Sequence, residues 1–567
     1  DRPQTPTTAH PPARSPLAGP NQFLPHGYPE MAGSDMWWHI AAGRELFQTG
    51  TIWMVDDWSF TAHGADWHNH EWLSDIIYYA WVWAFGVESL AWWKWLVVIA
   101  TYLLLQYTLY RETGSWAAAF ICAAIAIVLG APFIDVRPHL YTLLNLSLLL
   151  YLLLGRRVAI GWLLCLFIVW VNLHGGFFFG LMALGVLLFP WRELSIDSFR
   201  KALLIGLACL AVTLLNPSGL ESLLFPLKYA FDTSSPFRQL GEWLSPFKPG
   251  GIVSPTFFYF MWAPLVGLLY LVPAIRRHTG VPWEGIVLTA LTLAMSLTSR
   301  RFIPIFGISL AVMLAPLIAY GLQRLRAEKA GLGLAVLALA FALYRQSPYP
   351  VSAAPAFHYL TAEYSYPADI MDLVTRNGIE GDVFAYYNWG GFLHWRTDGA
   401  LRVYIDGRAD TIYEAEQYNN YVHVLGGGQH WLNILDESGA NFFLWPLQIG
   451  GGQAKLQTLW NTRQWKLVYR DSTGYLLARN EVDIPARLQA PEGTARLLTQ
   501  GYEQLAQGQV QRANELAAAA REQMPWHRTA CLLAMTSYGQ MNNQAAVEQT
   551  AADCYSEFPS PIFLLGK

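Results

Sequence analysis

Charge is what this sequence has least of. Only 14% of its residues are Asp, Glu, Lys or Arg, against about 25% in an ordinary soluble protein. Intrinsic disorder is excluded with it, because a disordered chain combines high charge with low hydrophobicity. An excess of basic residues is missing too. The net charge is -4 and the isoelectric point about 6.4, so nucleic acid is not an expected partner. Cysteine is sparse, five in 567 residues, which rules out a disulfide scaffold. Cys122, Cys165 and Cys209 lie in apolar runs, where cysteine behaves as a small hydrophobe. Cys531 and Cys554, 23 residues apart, are either a disulfide in an oxidising compartment or two packed thiols. The first 30 or so residues hold no apolar run and no visible signal peptide; rich in Pro, Thr and Ala, they read as a linker.

Hydrophobic residues make up 53% of the chain, mean hydropathy is +0.24, and there are 25 Trp. This is the composition of a polytopic membrane protein with a sizeable soluble portion, its tryptophans suited to the membrane interface. Apolar runs recur at about 88–110, 116–133, 138–154, 158–173, 175–190, 202–217, 256–275, 282–298, 302–321 and 331–344, giving ten expected spans. Arg111, Arg156 and Arg157, Arg192 with Arg200 and Lys201, Arg276 and Arg277, and Arg324 with Arg326 and Lys329 follow alternate runs. Basic loops on one side mark the cytoplasm. Residues 35–87, 134–137, 173–175, 217–255, 299–301 and everything after about 345 are then external. A chain whose ten spans begin and end outside needs an upstream segment to deliver its first loop. A further transmembrane helix ahead of residue 1, making eleven, is the simplest expectation. The apolar segment 72–86 is short for a span and reads as an amphipathic helix lying at the interface.

Five segments follow: a linker at 1–34, a first external loop with interfacial helices at 35–87, a transmembrane bundle at 88–344, an external domain at 345–485 and helical repeats at 486–567. In the external domain the β-rich runs DVFAYY, LRVYID, NFFLW and KLVYR alternate with short helical patterns, which predicts a small α/β domain. In the last segment Leu498, Gly508, Ala518 and Pro525 recur as Leu532, Asn542, Ala552 and Pro559, each 34 residues later. That is the tetratricopeptide period; a plain pair of helical hairpins is the bland alternative. The fold class expected is mainly α.

Polar residues gather in the external loops. A charge near the bilayer core costs on the order of 3 kcal/mol unless it lines a wet cavity. The first loop carries Asp35 and His39 in SDMWWHIAAGREL, then Asp56 and Asp57, then His68, His70 and Glu71 in WHNHEWL. Later external loops add Asp135, Arg137 and His139, then Asn172 and His174, then Asn216 and Glu242, then Arg300 and Arg301. An acid there suits a general base, and arginine's forked donors suit a lipid phosphate or pyrophosphate. The His/Glu cluster has the residue types either to orient the acid or to bind a divalent cation such as Mg or Mn, with Asp35, His68 and His70 as metal candidates. The bland readings are a helix N-cap for Asp35, interfacial hydrogen bonds for the histidines, and helix anchoring for the arginine pair.

The layout DMWWHIAAGRELFQTGTIWMVDDWSFTAHGADWHNHEWL, followed by an apolar helix ending in FG, resembles the GT-C superfamily of integral-membrane glycosyltransferases. Its likeness is to bacterial members of the protein mannosyltransferase and aminoarabinose transferase type. The motifs RPH, NLHGGF, NPSG and YNWGGFLHW…YIDGRAD resemble a bacterial branch of it, so the likeness extends over about residues 33–480. The resemblance implies a sugar donor on a polyprenyl phosphate, transfer at the outer face of the bacterial inner membrane, and a first-loop acid as catalytic base or acceptor-orienting group. On that reading Asp35, Glu71 and Asp57 are the catalytic candidates and Arg137, Arg300 and Arg301 the donor-phosphate ligands. His39, His68, His70, His139, His174, Asn172 and Glu242 are the remaining polar residues of the cavity. One departure stands out. The family's paired acids are often adjacent or separated by one residue, whereas Asp35 is followed by Met-Trp-Trp-His, so a second carboxylate has to be Asp56, Asp57 or Glu71. Membrane lipids and a protein partner on the C-terminal repeats are the other expected contacts. The rival readings are a catalytically inert scaffold subunit of a larger membrane complex, and a transporter or flippase. The latter is disfavoured because the polar residues lie at one face and the spans show no repeat.

Overall fold

The computed structural model describes residues 35–155, 159–231, 235–236, 240–249, 254–346, 366–491, 493–524 and 527–557. The expected linker at 1–34, the basic pair Arg156 and Arg157, and Pro525 and Pro559 of the repeat lie outside these residues.

Residues 35–87 fold into two packed helices, α1 (Asp35–Thr49) and α2 (Trp72–Phe85), with a minimal antiparallel pair, β1 (Met54–Val55) and β2 (Asp66–Trp67), between them. Gly43 of α1 lies against the backbone of Asp75 in α2, a closeness that any side chain would prevent. Gly86, at φ 82°, ends α2. Trp83 and Phe85 at that end are largely exposed.

The bundle follows as α3 (Leu90–Thr113), α4 (Trp116–Gly130), α5 (His139–Leu153), α6 (Ile160–Leu173), α7 (Phe177–Leu188), α8 (Ile196–Val212), α9 (Leu220–Phe231), α10 (Phe257–Phe260), α11 (Pro273–Thr279), α12 (Trp283–Thr298), α13 (Ile303–Arg324) and α14 (Glu328–Gln346). Gly114 caps α3 in the left-handed region, and the Ser115 hydroxyl caps α4 by accepting the Ala118 N–H at 3.0 Å. The central helix α13 is buried along most of its length against α4 and α12. Among the described residues three stretches are long and apolar enough to cross a bilayer: Trp116–Phe133, Ile196–Leu215 and Arg300–Arg324. The pair Phe257–Leu271 and Pro273–Thr279, bent by 96°, makes a fourth if it is one broken span. Four of the other expected spans form apolar helices of 12 to 16 residues. At 1.5 Å per residue these fall short of the ~30 Å hydrocarbon core. The long apolar helices mark a membrane protein, and its described spans are more broken than the hydropathy pattern suggests.

Beyond residue 366 come α15 (Ala368–Arg376), β3 (Gly381–Ala385), α16 (Gly390–Thr397), β4 (Leu401–Val403), α17 (Ala415–Gly426), α18 (Trp431–Glu437), β5 (Phe442–Pro446), α19 (Gly452–Thr462), β6 (Trp465–Arg470) and β7 (Gly474–Arg479). The sheet order is β4-β3-β5-β7-β6. The first three strands are parallel, joined through helices, and the last two form an antiparallel hairpin. The four runs expected as strands fall on β3 to β6, and β7 is an addition. The free edge of β4 is covered by the first loop: Val403 donates its N–H to the Trp58 carbonyl at 2.9 Å, and Phe60 donates to the Val403 carbonyl at 3.1 Å. One hydrophobic core runs unbroken from the bundle through Trp37 and Ile40 of α1 into Phe392, Leu393 and Val383 of the sheet layer.

The chain ends in α20 (Thr494–Ala506), α21 (Val510–Gln523), α22 (Arg528–Gln540) and α23 (Gln544–Glu557), each packed on the next. Gly508 and Asn542, 34 residues apart, both take left-handed backbone angles, φ 77° and 54°, at the turns. Cys531 and Cys554 form a disulfide between α22 and α23. The Asp369 carboxylate of α15 accepts the Arg496 N–H in the first turn of α20 at 3.3 Å, which ties the helical array to the sheet layer. A cavity of about 340 Å³ lies at this junction, lined by Asp372, Arg376, Arg396 and His527 among others.

Candidate active site

Asp35 opens α1, where the helix dipole favours a carboxylate. It forms an ion pair with Arg137, from the turn before α5. Arg137 also holds Glu242, from the loop after α9, at 2.6 Å, and Arg301 at the head of α13 approaches the other oxygen of Glu242 at 3.7 Å. The Arg301 guanidinium sits 3.9 Å above the Trp243 ring. Burial alone would raise the Glu242 carboxyl, but Arg137 and then Arg301 outweigh it and hold it at about 2. Side-chain exposures of 17% for Asp35, 26% for Arg137 and Arg301 and 21% for Glu242 leave this cluster reachable from solvent.

Beside it stands a carboxylate among imidazoles. Glu71 lies 3.8 Å from His39 Nε2, 3.6 Å from His70 Nε2 and 3.6 Å from His174 Nε2. The His39 Nδ1 is 2.6 Å from Asp75 Oδ1, and Asn69 donates to the other Asp75 oxygen at 2.6 Å. The His174 Nδ1 accepts the Gly176 N–H at 2.9 Å, which places the ring proton on Nε2, toward Glu71. Burial pushes Glu71 up to about 7, although its neighbour His39 works against this. Burial holds His39 down at about 4, so near neutral pH that ring is uncharged.

The donor types around Glu71 are those of a metal site. The ring nitrogens stand at imidazole–carboxylate contact distances, and His174 presents a proton rather than a lone pair. Among the described residues no group of three or more His, Cys, Asp or Glu is placed to hold a metal ion. The expected trio Asp35, His68 and His70 does not converge: His68 faces Glu221 at 3.8 Å and His70 faces Glu71.

Other predicted residues take structural positions. The Arg300 guanidinium is 1% exposed and donates to the carbonyls of Leu244, Ser245 and Lys248, pinning the 240–249 loop. The His139 Nε2 donates to the Phe133 carbonyl at 2.7 Å and shapes the turn that carries Arg137. Asn172 accepts from Trp72 at 2.7 Å and from Asn216 at 3.2 Å, which locks α2 to the end of α6. Asp57 lies with Glu45 and His394; burial first, then the Glu45 charge, raises its carboxyl.

The sheet layer contributes what the sequence motifs hid. DGRAD follows β4 and YNWGG follows β3, at the carboxyl ends of parallel strands, where α/β sheets place their ligands. Arg408 is buried, bidentate to Asp406 at 2.8–3.1 Å, 2.6 Å from Asp56, and stacked over Trp58. Gly407 has an ordinary backbone angle, yet a side-chain carbon there would come within 3.1 Å of Asp35 Oδ1 and of the Trp38 ring. Glycine is therefore present for space, and the DGRAD turn forms one wall at Asp35. The Trp38 indole N–H is buried beside that turn and has no hydrogen-bond partner among the described residues. Asp75 and Asn69 were also missed, though a lone Asp in the apolar run WLSDIIYYAWVWAF is the kind of charge that marks function in a membrane protein.

No family model and no curated protein sequence matches this chain. Among solved structures it is similar to ArnT from Cupriavidus metallidurans in the apo state. The TM-score is 0.44 with 14% identity, over 79% of this chain and 94% of that one. A likeness of that size carries no argument by itself, and the function that follows stands on this chain's own residues.

Proposed function

We propose that this chain is a membrane glycosyltransferase that moves a sugar from a polyprenyl-phosphate donor to a hydroxyl-bearing acceptor on the outer side of the bacterial inner membrane. The observation that carries the reading is the assembly of polar residues from separate external loops into one solvent-reachable cluster, two carboxylates beside two arginines. Transfer needs a base for the acceptor and positive charge for the departing phosphate, through an oxocarbenium-like state akin to that of glycoside hydrolysis. In the proposed step a carboxylate takes the acceptor's hydroxyl proton. The freed oxygen attacks the anomeric carbon, the bond from that carbon to the phosphate oxygen breaks, and the phosphate leaves with the electron pair. Asp35, engaged by Arg137, orients the acceptor. Glu71, with a proton affinity near neutrality, is the better matched base. Arg301 and Arg137 face the donor phosphate, and the DGRAD turn bounds the acceptor side. The outward orientation is supported by the alternation of basic loops and by the Cys531–Cys554 disulfide, since such bonds persist in oxidising compartments.

The test is release of polyprenyl phosphate from a panel of hexose- and pentose-linked donors by the protein in lipid nanodiscs. Asp35→Asn and Glu71→Gln should each abolish release with the melting temperature preserved. Release that is absent from the wild type, together with co-purification of a stable protein complex, would favour the scaffold reading instead.

A further inference from the structure

The arginines of the site are already engaged. Arg137 is shared by Asp35 and Glu242, Arg301 by Glu242 and the Trp243 ring, and Arg300 is bound to three carbonyls. A phosphate arriving there meets cations that carboxylates have largely neutralised. Lys94 differs. It lies in the first turns of α3, at the end of the helix next to the external loops, within the run LAWWKWLVV. Its side chain is fully buried, and its ammonium makes no hydrogen bond among the described residues. Its contacts are the Trp95 ring at 4.9 Å and the field of Asp135. Asp135 is also one of the carboxylates acting on Arg137, so Lys94 and Arg137 both feel the charge of the same acid. A buried ammonium without hydrogen-bond acceptors is costly, and in a membrane protein such a charge marks a ligand path.

We propose that Lys94 is a phosphate-binding residue of this site and receives the leaving polyprenyl phosphate. The idea rests on the glycosyl-transfer reading above and adds to Arg137 and Arg301, both already paired with carboxylates, a cation that makes no such hydrogen-bonded pair among the described residues. As the anomeric bond breaks, the phosphate gains negative charge, so a hydrogen-bonding ammonium in a dry surround stabilises the departing state more than the intact donor. Side chains that cover Lys94 move aside as the phosphate enters.

The probe is farnesyl phosphate, with farnesol as its uncharged counterpart, titrated into the protein in nanodiscs. Wild type should prefer the phosphate. Lys94→Met, which keeps the volume, should weaken farnesyl phosphate about tenfold or more, the scale of one charge-assisted hydrogen bond, and leave farnesol unchanged. Lys94→Arg should restore most of the preference. Removing an unpaired buried charge should also hold or raise the melting temperature. Competition by free inorganic phosphate at similar concentration would assign the site to a soluble anion rather than a lipid headgroup and overturn the lipid form of the proposal. Unchanged farnesyl phosphate binding in Lys94→Met, with or without a loss of stability, overturns it altogether. No phosphate preference in the wild type would instead overturn the transferase reading on which it rests.

Discussion

Burying a carboxylate beside imidazoles that are themselves kept neutral makes its ionisation unfavourable, and Glu71 at about 7 carries that burden. Its folded-state value lies above the ordinary value of 4.5, so the folded protein holds the proton more tightly than the unfolded chain. The ionised form therefore subtracts stability as pH rises from about 4.5 to about 7. Glu71→Gln should be more stable than wild type above pH 7, by at most on the order of 3 kcal/mol, and equal to it below pH 4.5. Melting curves at pH 4.5 and pH 8 check this, and the same variant should lose transfer. Glu242 has the opposite sign. Its carboxyl is held at about 2, so its contribution is complete above about pH 4.5 and disappears as pH falls through 2. Glu242→Gln should destabilise at pH 7, with the difference from wild type closing in acid. The candidate residues were legible in the sequence because His, Asp, Glu and Arg gather in the segments between the apolar runs. Their partners were not. Nothing in SDMWWHIAAGREL announces that His39, a turn of helix away from Asp35, meets Asp75 from another element.

Gly407 shows how one element reaches into another. Gly407→Ala places a carbon within 3.1 Å of Asp35 Oδ1 without straining its own backbone. The DGRAD turn should shift by a few tenths of an ångström. Acceptor kcat/KM should fall while farnesyl phosphate binding is kept and stability changes by roughly 1 kcal/mol. Arg408 belongs to the same turn. Arg408→Met leaves Asp56 and Asp406 buried without their cation and should cost about 3–5 kcal/mol, read as a large drop in melting temperature. In sequence DGRAD reads as a turn after a strand, which it is; its arginine becomes significant only when the first loop supplies Asp56. The strands were visible through their β-branched and aromatic runs. GYLLAR was not, because Leu and Ala fit a helix as well as a strand and only pairing with β5 and β6 decides. The apolar runs of the bundle were equally visible. Their breaks depend on neighbours that satisfy the backbone at each bend, which no local pattern encodes.

On the scale of the whole molecule, the sheet layer, the first loop and the bundle share one core, while α20, α21 and α22 at the C-terminal end form a hydrophobic cluster of their own. The disulfide between α22 and α23 closes a 23-residue separation in that outer array. Its reduction should destabilise the array by ~3 kcal/mol. Limited proteolysis should then release the last two helices first, with farnesyl phosphate binding unaffected. The pairing of Val403 with Trp58 and Phe60 has a practical corollary for anyone cutting the protein into modules. Excised at residue 366, the sheet would keep all its strands yet lose the cover of β4, presenting an open hydrogen-bonding edge. Such a fragment should self-associate when expressed alone, and grafting residues 56–62 onto it through a short linker is the design that would keep it monomeric.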